Sequence, residues 1–383
     1  MSGKRAESPF EFVQLLTSNQ SRLYREGQVS PCLKSPSQAF ASSSWTNTPK
    51  SVPRLSMKTV FTIICALLLS FSAAAKPKQP NIIFIMSDDH ASRAISAYGG
   101  GINNTPNIDR LATEGQLHGR VYVTNSICTP SRAAILTGTH NHINSVTTLD
   151  TFIDNSWPNV AKELQKGGYY TAIFGKWHLG EGQKHEPTGF DEWDVLPGQG
   201  EYWDPAFISP KGIREVQGYA TDIITDMSVE FIERNKNQPF FLMCHHKAPH
   251  RSWEYHPRHK NIHAPGTIPL PKTFKDDYKN RAAAATAAKM RIKSDLVYED
   301  LGLVQPEGGT EVVGERLMKD PTDPYKGRKV PELLPGDKIT VICAETGENF
   351  TFTEPEVFAE FKYQRFMSRY LRTVQSIDDG VGE

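Results

Sequence analysis

Asn81-Ile82-Ile83-Phe84-Ile85-Met86-Ser87-Asp88-Asp89 carries five apolar side chains in an unbroken run before it ends in two carboxylates. A strand that is apolar on both faces suits the covered centre of a parallel sheet. The flanking sequence agrees. Thr105-Pro106 opens a helix through Glu114, with threonine as N-cap, proline in the first turn and Gly115 as the stop. Residues 121–124 suggest a short strand, and 130–137 a helix stopped by Gly138. Residues 158–166 suggest another helix, closed by Gly167-Gly168. Residues 169–174 and 239–246 read as further buried strands, with a helix over 221–234 between them. Alternation of this kind predicts an α/β fold with a mostly parallel sheet flanked by helices.

Two stretches depart from the alternation. Residues 184–218, rich in Gly, Pro, Trp and Tyr without a period, predict a long surface loop. Residues 338–353 predict a β-hairpin turning at 345–348 and inserted into the sheet order. Beyond it Val357, Phe361, Phe366, Tyr370, Val374, Ile377 and Val381 keep helical spacing to the end.

The first 75 residues read differently. Lys58 after Met57, the apolar run 60–69 and Ala73-Ala74-Ala75 together make a signal peptide over 57–75. That run is too short to span a bilayer core of about 30 Å, so no stable membrane anchor is expected. Residues 1–56 read as a non-native or disordered extension ahead of a start at Met57, and 76–383 as the exported part, bound for the periplasm or the extracellular space.

The whole chain of 383 residues balances 43 basic against 43 acidic side chains. Residues 1–75 hold eight of the basic and three of the acidic, which leaves 35 and 40 and a formal charge of −5 on the exported part. No basic excess points to nucleic acid. Five cysteines, at 32, 65, 128, 244 and 343, are too few and too scattered for a disulfide scaffold or a zinc clip.

Chemistry-bearing residues gather at predicted strand ends, where open α/β sheets bind ligands. Asp88 and Asp89 form a like-charged pair that a hard divalent cation would neutralise, or a simple turn. Lys176-Trp177-His178 follows a second strand, and His245-His246-Lys247-Ala248-Pro249-His250 a third. Cys128 stands just ahead of a helix, where free N–H groups favour an anion, and an unmodified thiol there would be a low-pKa nucleophile. Arg132, one turn on, suits bidentate recognition of a tetrahedral oxyanion.

The string C-T-P-S-R-A-A-I-L-T-G, 128–138, matches the sulfatase signature C-x-P-S-R-x-x-x-L-T-G. Asp88-Asp89, G-K-W-H-L-G at 175–180 and A-P-H at 248–250 follow the family's other landmarks in order. The chain therefore resembles the formylglycine-dependent sulfatases, of alkaline-phosphatase-like fold. Its P-T-G-F-D-E-W-D-V-L-P-G-Q-G-E-Y and H-H-K-A-P-H-R stretches look like those of secreted bacterial carbohydrate sulfatases, including N-acetylglucosamine-6-sulfatases.

The resemblance implies a specific chemistry. A formylglycine-generating enzyme would oxidise Cys128, and one oxygen of the hydrated aldehyde would attack the sulfur of a sulfated carbohydrate. Asp88 and Asp89, with the modified Cys128, would hold one calcium ion. Arg132 would hold the formylglycine, Lys176 the sulfate, His178 would hydrogen-bond the gem-diol and accept its proton, and His250 would contact the leaving oxygen as donor or general acid. One departure stands out. Nothing after His250 matches the later strand that supplies further calcium ligands and a second lysine, so the C-terminal part of the sheet and a small antiparallel subdomain are expected to be missing. A phosphodiesterase or phosphonate monoester hydrolase of the same superfamily, and an inactive fragment that binds sulfated glycans, are the competing readings.

Overall fold

The apolar run quoted above forms the strand Asn81–Met86, labelled β2, an inner strand of a seven-stranded sheet. The computed structural model describes residues 10–12, 79–305 and 329–383. The signal-peptide segment 57–75 and nearly all of the extension before it lie outside the described residues. Among the described residues no helix is long and apolar enough to cross a membrane.

The other strands of this sheet are β1 (Phe10–Phe12), β3 (Tyr170–Lys176), β4 (Glu192–Leu196), β5 (Ala206–Ser209), β6 (Gly212–Glu215) and β7 (Phe240–His245). Their spatial order is β1-β2-β7-β3-β4-β5-β6. The first four pairings, up to β4, run parallel, and β5 and β6 close one edge antiparallel. The mixed, mostly parallel sheet is therefore as the alternation predicts.

Alternation along the strands feeds two cores. Phe84, Met86, Ile173, Phe241 and Met243 face one way and pack on α2 (Cys128–Thr137) through Ala133 and Leu136. Ile83, Ile85, Ala172, Phe174, Leu242 and Cys244 face the other way onto Ile224 and Phe231 of α4 (Ala220–Asn235). Helix α1 is Pro106–Glu114 and α3 is Val160–Lys166. The last helix, α5 (Pro355–Gly382), has its own core with Trp253, Leu296, Leu301 and Val341.

Several local expectations fail, each for a physical reason. Residues 121–124 form no strand: Tyr122 is 86% exposed and no strand lies beside it. The stretch 184–218 is not a free loop, because it contains β4, β5 and β6, and Leu196, Tyr202 and Phe207 are buried. The hairpin forms, as β8 (Ile339–Ile342) and β9 (Asn349–Phe352), but as a separate two-stranded sheet. On α5 the buried face is carried by Phe358, Tyr363, Tyr370, Leu371, Val374 and Ile377, whereas Val357 is exposed. Thr105 occupies the N-cap position of α1, yet its hydroxyl donates to Asp109 Oδ1 at 3.1 Å in place of capping.

Candidate active site

The carboxyl ends of β2, β7 and β3 lie side by side and deliver three of the four sequence motifs to one place. Pairing continues past the strands: His246 N–H donates to Met86 O at 2.8 Å and Asp88 N–H to Ala248 O at 3.0 Å. Gly175 sits opposite His245, with φ at 98°, and a Cβ there would lie 2.0 Å from the His245 carbonyl oxygen. Only glycine passes. Asp89 and His178 adopt left-handed φ values of 62° and 52°. Such conformations cost on the order of 1–3 kcal/mol each and cluster at functional sites.

The fourth motif arrives on α2, whose first residue is Cys128. Cys128 Sγ lies 3.5 Å from Asp88 Oδ1. Asp88 is buried and forms ion pairs with Lys176 and, at 3.3 Å, with Arg132 Nη2. Burial alone would raise its carboxyl, but Lys176 and Arg132 outweigh that and hold it far below the ordinary carboxylate range. Asp89 moves the other way. Its closed-in surroundings and the adjacent Asp88 charge push its carboxyl up to about 6, although its side chain keeps about half its exposure.

Two sequence expectations are corrected by this environment, and the partners of both histidines become visible. Burial pushes the Cys128 thiol up to about 11, so the unmodified residue is a neutral thiol and no low-pKa nucleophile. Arg132 presents no free fork to an oxyanion: Nη1 donates to Lys176 O at 2.6 Å while Nη2 meets Asp88. His250 Nδ1 must donate to the Arg251 carbonyl at 2.7 Å, which leaves Nε2 bare, 3.8 Å from Asp89 Oδ2. Burial and Lys176 hold the His250 ring well below its usual value. His178 is likewise neutral, pushed down to about 3 by burial and Lys176, and its Nδ1 has no partner.

One ligand atom each from Asp88, Cys128 and His250 lies within 4.8 Å of the others. Burial, and after it the adjacent Asp88 charge, raises the Asp89 carboxyl. The two carboxylates offer hard oxygen donors, and the thiol and imidazole softer ones.

Some residues at the site escaped the sequence reading. Gln199 Oε1 accepts from Lys176 Nζ at 2.5 Å, signalled only by its place between two glycines. Tyr202 is another: its ring centroid lies 4.8 Å from Lys247 Nζ, a lysine the sequence did single out and which burial and Lys176 push down to about 8. Tyr202 in turn donates to His250 O at 2.6 Å. Tyr370 on α5 accepts from Ala91 N–H at 2.7 Å and donates to Asp89 O at 3.2 Å. No local pattern could have linked α5 to the aspartate loop. A cavity of about 410 Å³ shares His178 and Gln199 with the site, but Glu181 and Glu186 on its wall disfavour an anion there.

Comparison with known proteins meets this geometry. The sulfatase family model matches residues 80–383, which include every residue named above. The chain belongs to the sulfatase family. Its sheet is that of the alkaline-phosphatase-like superfamily. Among curated relatives, this sulfatase chain is 38% identical over 334 residues to the N-acetylglucosamine-6-O-sulfatase of Bacteroides thetaiotaomicron, covering 82% of this chain and 56% of the relative. It is 31% identical over 213 residues to human N-acetylgalactosamine-6-sulfatase, covering 46% and 41%. Among solved structures, BT4656 in complex with its substrate D-glucosamine-2-N,6-O-disulfate superposes with a TM-score of 0.66 at 36% identity, covering 80% of this chain and 61% of that one. The sulfatase chain thus spans between about four-tenths and six-tenths of the length of these relatives.

Proposed function

We propose that this chain carries the catalytic centre of a calcium-dependent sulfuric ester hydrolase that releases sulfate from a sulfated carbohydrate. The convergence of Cys128 with Asp88, Lys176 and Arg132 on one buried point carries the reading. Cationic groups around a helix N-terminus favour a sulfate ester, and electrostatic stabilisation is the main lever for such a reaction. The named substrates of the relatives, 6-sulfated amino sugars, make a sugar 6-O-sulfate the substrate to try first.

Oxidised to formylglycine by a dedicated enzyme, residue 128 supplies an oxygen nucleophile in place of a thiol that neutral pH leaves protonated. Asp88, Asp89 and residue 128 would hold a calcium ion, which would supply Lewis-acid polarisation of the sulfate. The chain's own groups do the rest. His178 keeps an unpartnered Nδ1 with which it would hydrogen-bond residue 128. Lys176 and Arg132 offset charge on the sulfate oxygens, and Arg132 fixes the end of β3 through the Lys176 carbonyl. The bare Nε2 of His250 faces the Asp89 side, where it can receive a hydrogen bond. On this reading residues 57–75 direct export, 1–56 lie ahead of the start, and 76–383 are the N-terminal portion of the catalytic domain.

Turnover decides it. The enzyme, expressed with its modifying enzyme and loaded with calcium, is offered N-acetylglucosamine-6-sulfate, an aryl sulfate and an aryl phosphate diester. Release of sulfate from the first two supports the proposal. Hydrolysis of the diester alone would replace it with a phosphodiesterase.

A further inference from the structure

Lys176 ends β3 with its side chain wholly buried. Its ammonium has three N–H bonds to place. One goes to the Asp88 carboxylate and one to Gln199 Oε1 at 2.5 Å, and no other group among the described residues accepts the third. Gln199 is itself only 5% exposed.

The chain around Gln199 is shaped to deliver it. Leu196, the last residue of β4, pairs directly opposite Lys176. Pro197-Gly198-Gln199-Gly200 then turns back, with the Gly200 N–H donating to Pro197 O at 2.9 Å. Gly198 and Gly200 take φ values of 49° and 72°, and a Cβ on Gly200 would lie 2.7 Å from Leu196 Cδ1. The turn is pinned from outside by Glu181 Oε1, which accepts from Gly198 N–H at 3.0 Å. Two glycines are thus committed to holding one amide oxygen against one buried ammonium.

We propose that Gln199 is a positioning residue for Lys176: its amide oxygen takes one N–H, stops the ammonium from turning wholly onto Asp88, and leaves the third N–H for the anionic group of the substrate. The chemistry of the acceptor matters. A neutral amide fixes the ammonium without cancelling its charge, whereas a carboxylate at the same place would fix it and neutralise it. This inference rests on the sulfate-ester reading of the site.

The test is a double-substitution cycle on the modified, calcium-loaded enzyme with an aryl sulfate, and with inorganic sulfate as competing anion. Gln199→Leu in the wild-type background is expected to lower kcat/KM and to weaken inhibition by inorganic sulfate, each about tenfold. In a Lys176→Met background the same substitution is expected to change kcat/KM by less than about twofold, because its only route of action is gone. Gln199→Glu is expected to retain the melting temperature and still lose sulfate inhibition. Equal losses from Gln199→Leu in both backgrounds, or unchanged sulfate inhibition in the single variant, would overturn the proposal. Should the wild type turn over only a phosphate diester, the sulfatase reading fails by itself, and the same cycle with that substrate and inorganic phosphate still decides the role of Gln199.

Discussion

Asp378, near the end of α5, accepts a hydrogen bond from the Ile108 N–H at 2.9 Å and so caps α1 from 270 residues away. Its carboxylate also receives the Asn107 N–H at 3.1 Å. The cap that sequence assigned to Thr105 is supplied by a distant helix. Asp378→Ala is expected to lower stability by about 1 kcal/mol, as for an ordinary N-cap, and Asp378→Asn by less. Urea unfolding of the three proteins measures this, and an unchanged midpoint for the alanine variant would remove the cap.

Gly175 is a second point where backbone leaves no choice. Alanine there would meet the His245 carbonyl at 2.0 Å in a left-handed conformation. Gly175→Ala is expected to cost at least about 2 kcal/mol, combining strain with displacement of β7. A loss below about 0.5 kcal/mol in the same urea series would show that the strands separate easily.

The state of residue 128 is open to mass spectrometry. The tryptic peptide containing it should show loss of sulfur and gain of an aldehyde in a host with the modifying enzyme. Cys128→Ala should abolish turnover and Cys244→Ala, on β7 and facing the α4 core, should spare it. An unmodified, fully active Cys128 would sink the formylglycine mechanism.

Acid sensitivity has an identifiable contributor in Asp379. Burial opposes its charge, but His259 and Arg258, each at 3.0 Å, overcome this and hold the carboxyl below its ordinary value. The folded state then binds that proton less readily than the unfolded one. The stabilisation is therefore complete above the unfolded value of about 3.9 and drains away as pH falls through the lower folded value. The stability difference between wild type and Asp379→Asn should be larger at pH 7 than at pH 3. A difference of the same size at both would mean that the ion pairs do not contribute.

Legibility followed burial. Residues 81–86, 170–176 and 240–245 were readable because strands covered on both faces need apolar side chains throughout. Lys176 and His250 were readable because they sit in short fixed strings at or just beyond the ends of those strands, and Cys128 because its string opens a helix. The strands β4 to β6 were not, since Gly, Pro and Trp mask them, and their pairing, β4 on β3, β5 on β4 and β6 on β5, comes from tertiary context. Residues 121–124 misled in the opposite sense: β-branched and aromatic side chains with no neighbour to pair with remain coil. Tyr370, Asp378 and Gln199 act across long separations, where no period or motif reports them. Nor could spacing reveal that burial would turn the Cys128 thiol neutral.

Thr129, Pro130 and Arg132 are buried, and Cys128 is locked into the first turn of α2. On the proposed chemistry, an enzyme that modifies residue 128 would find its target already wound into α2 once the fold has closed. The loop bearing Asp89 is tied down by Tyr370, 281 residues later. Roughly 240 residues separate Arg132 from Tyr370, and at about 5–20 residues per second of synthesis they take roughly ten to fifty seconds to appear. On the proposed chemistry, that interval is the time in which residue 128 could be oxidised before Tyr370 exists to fasten the Asp89 loop.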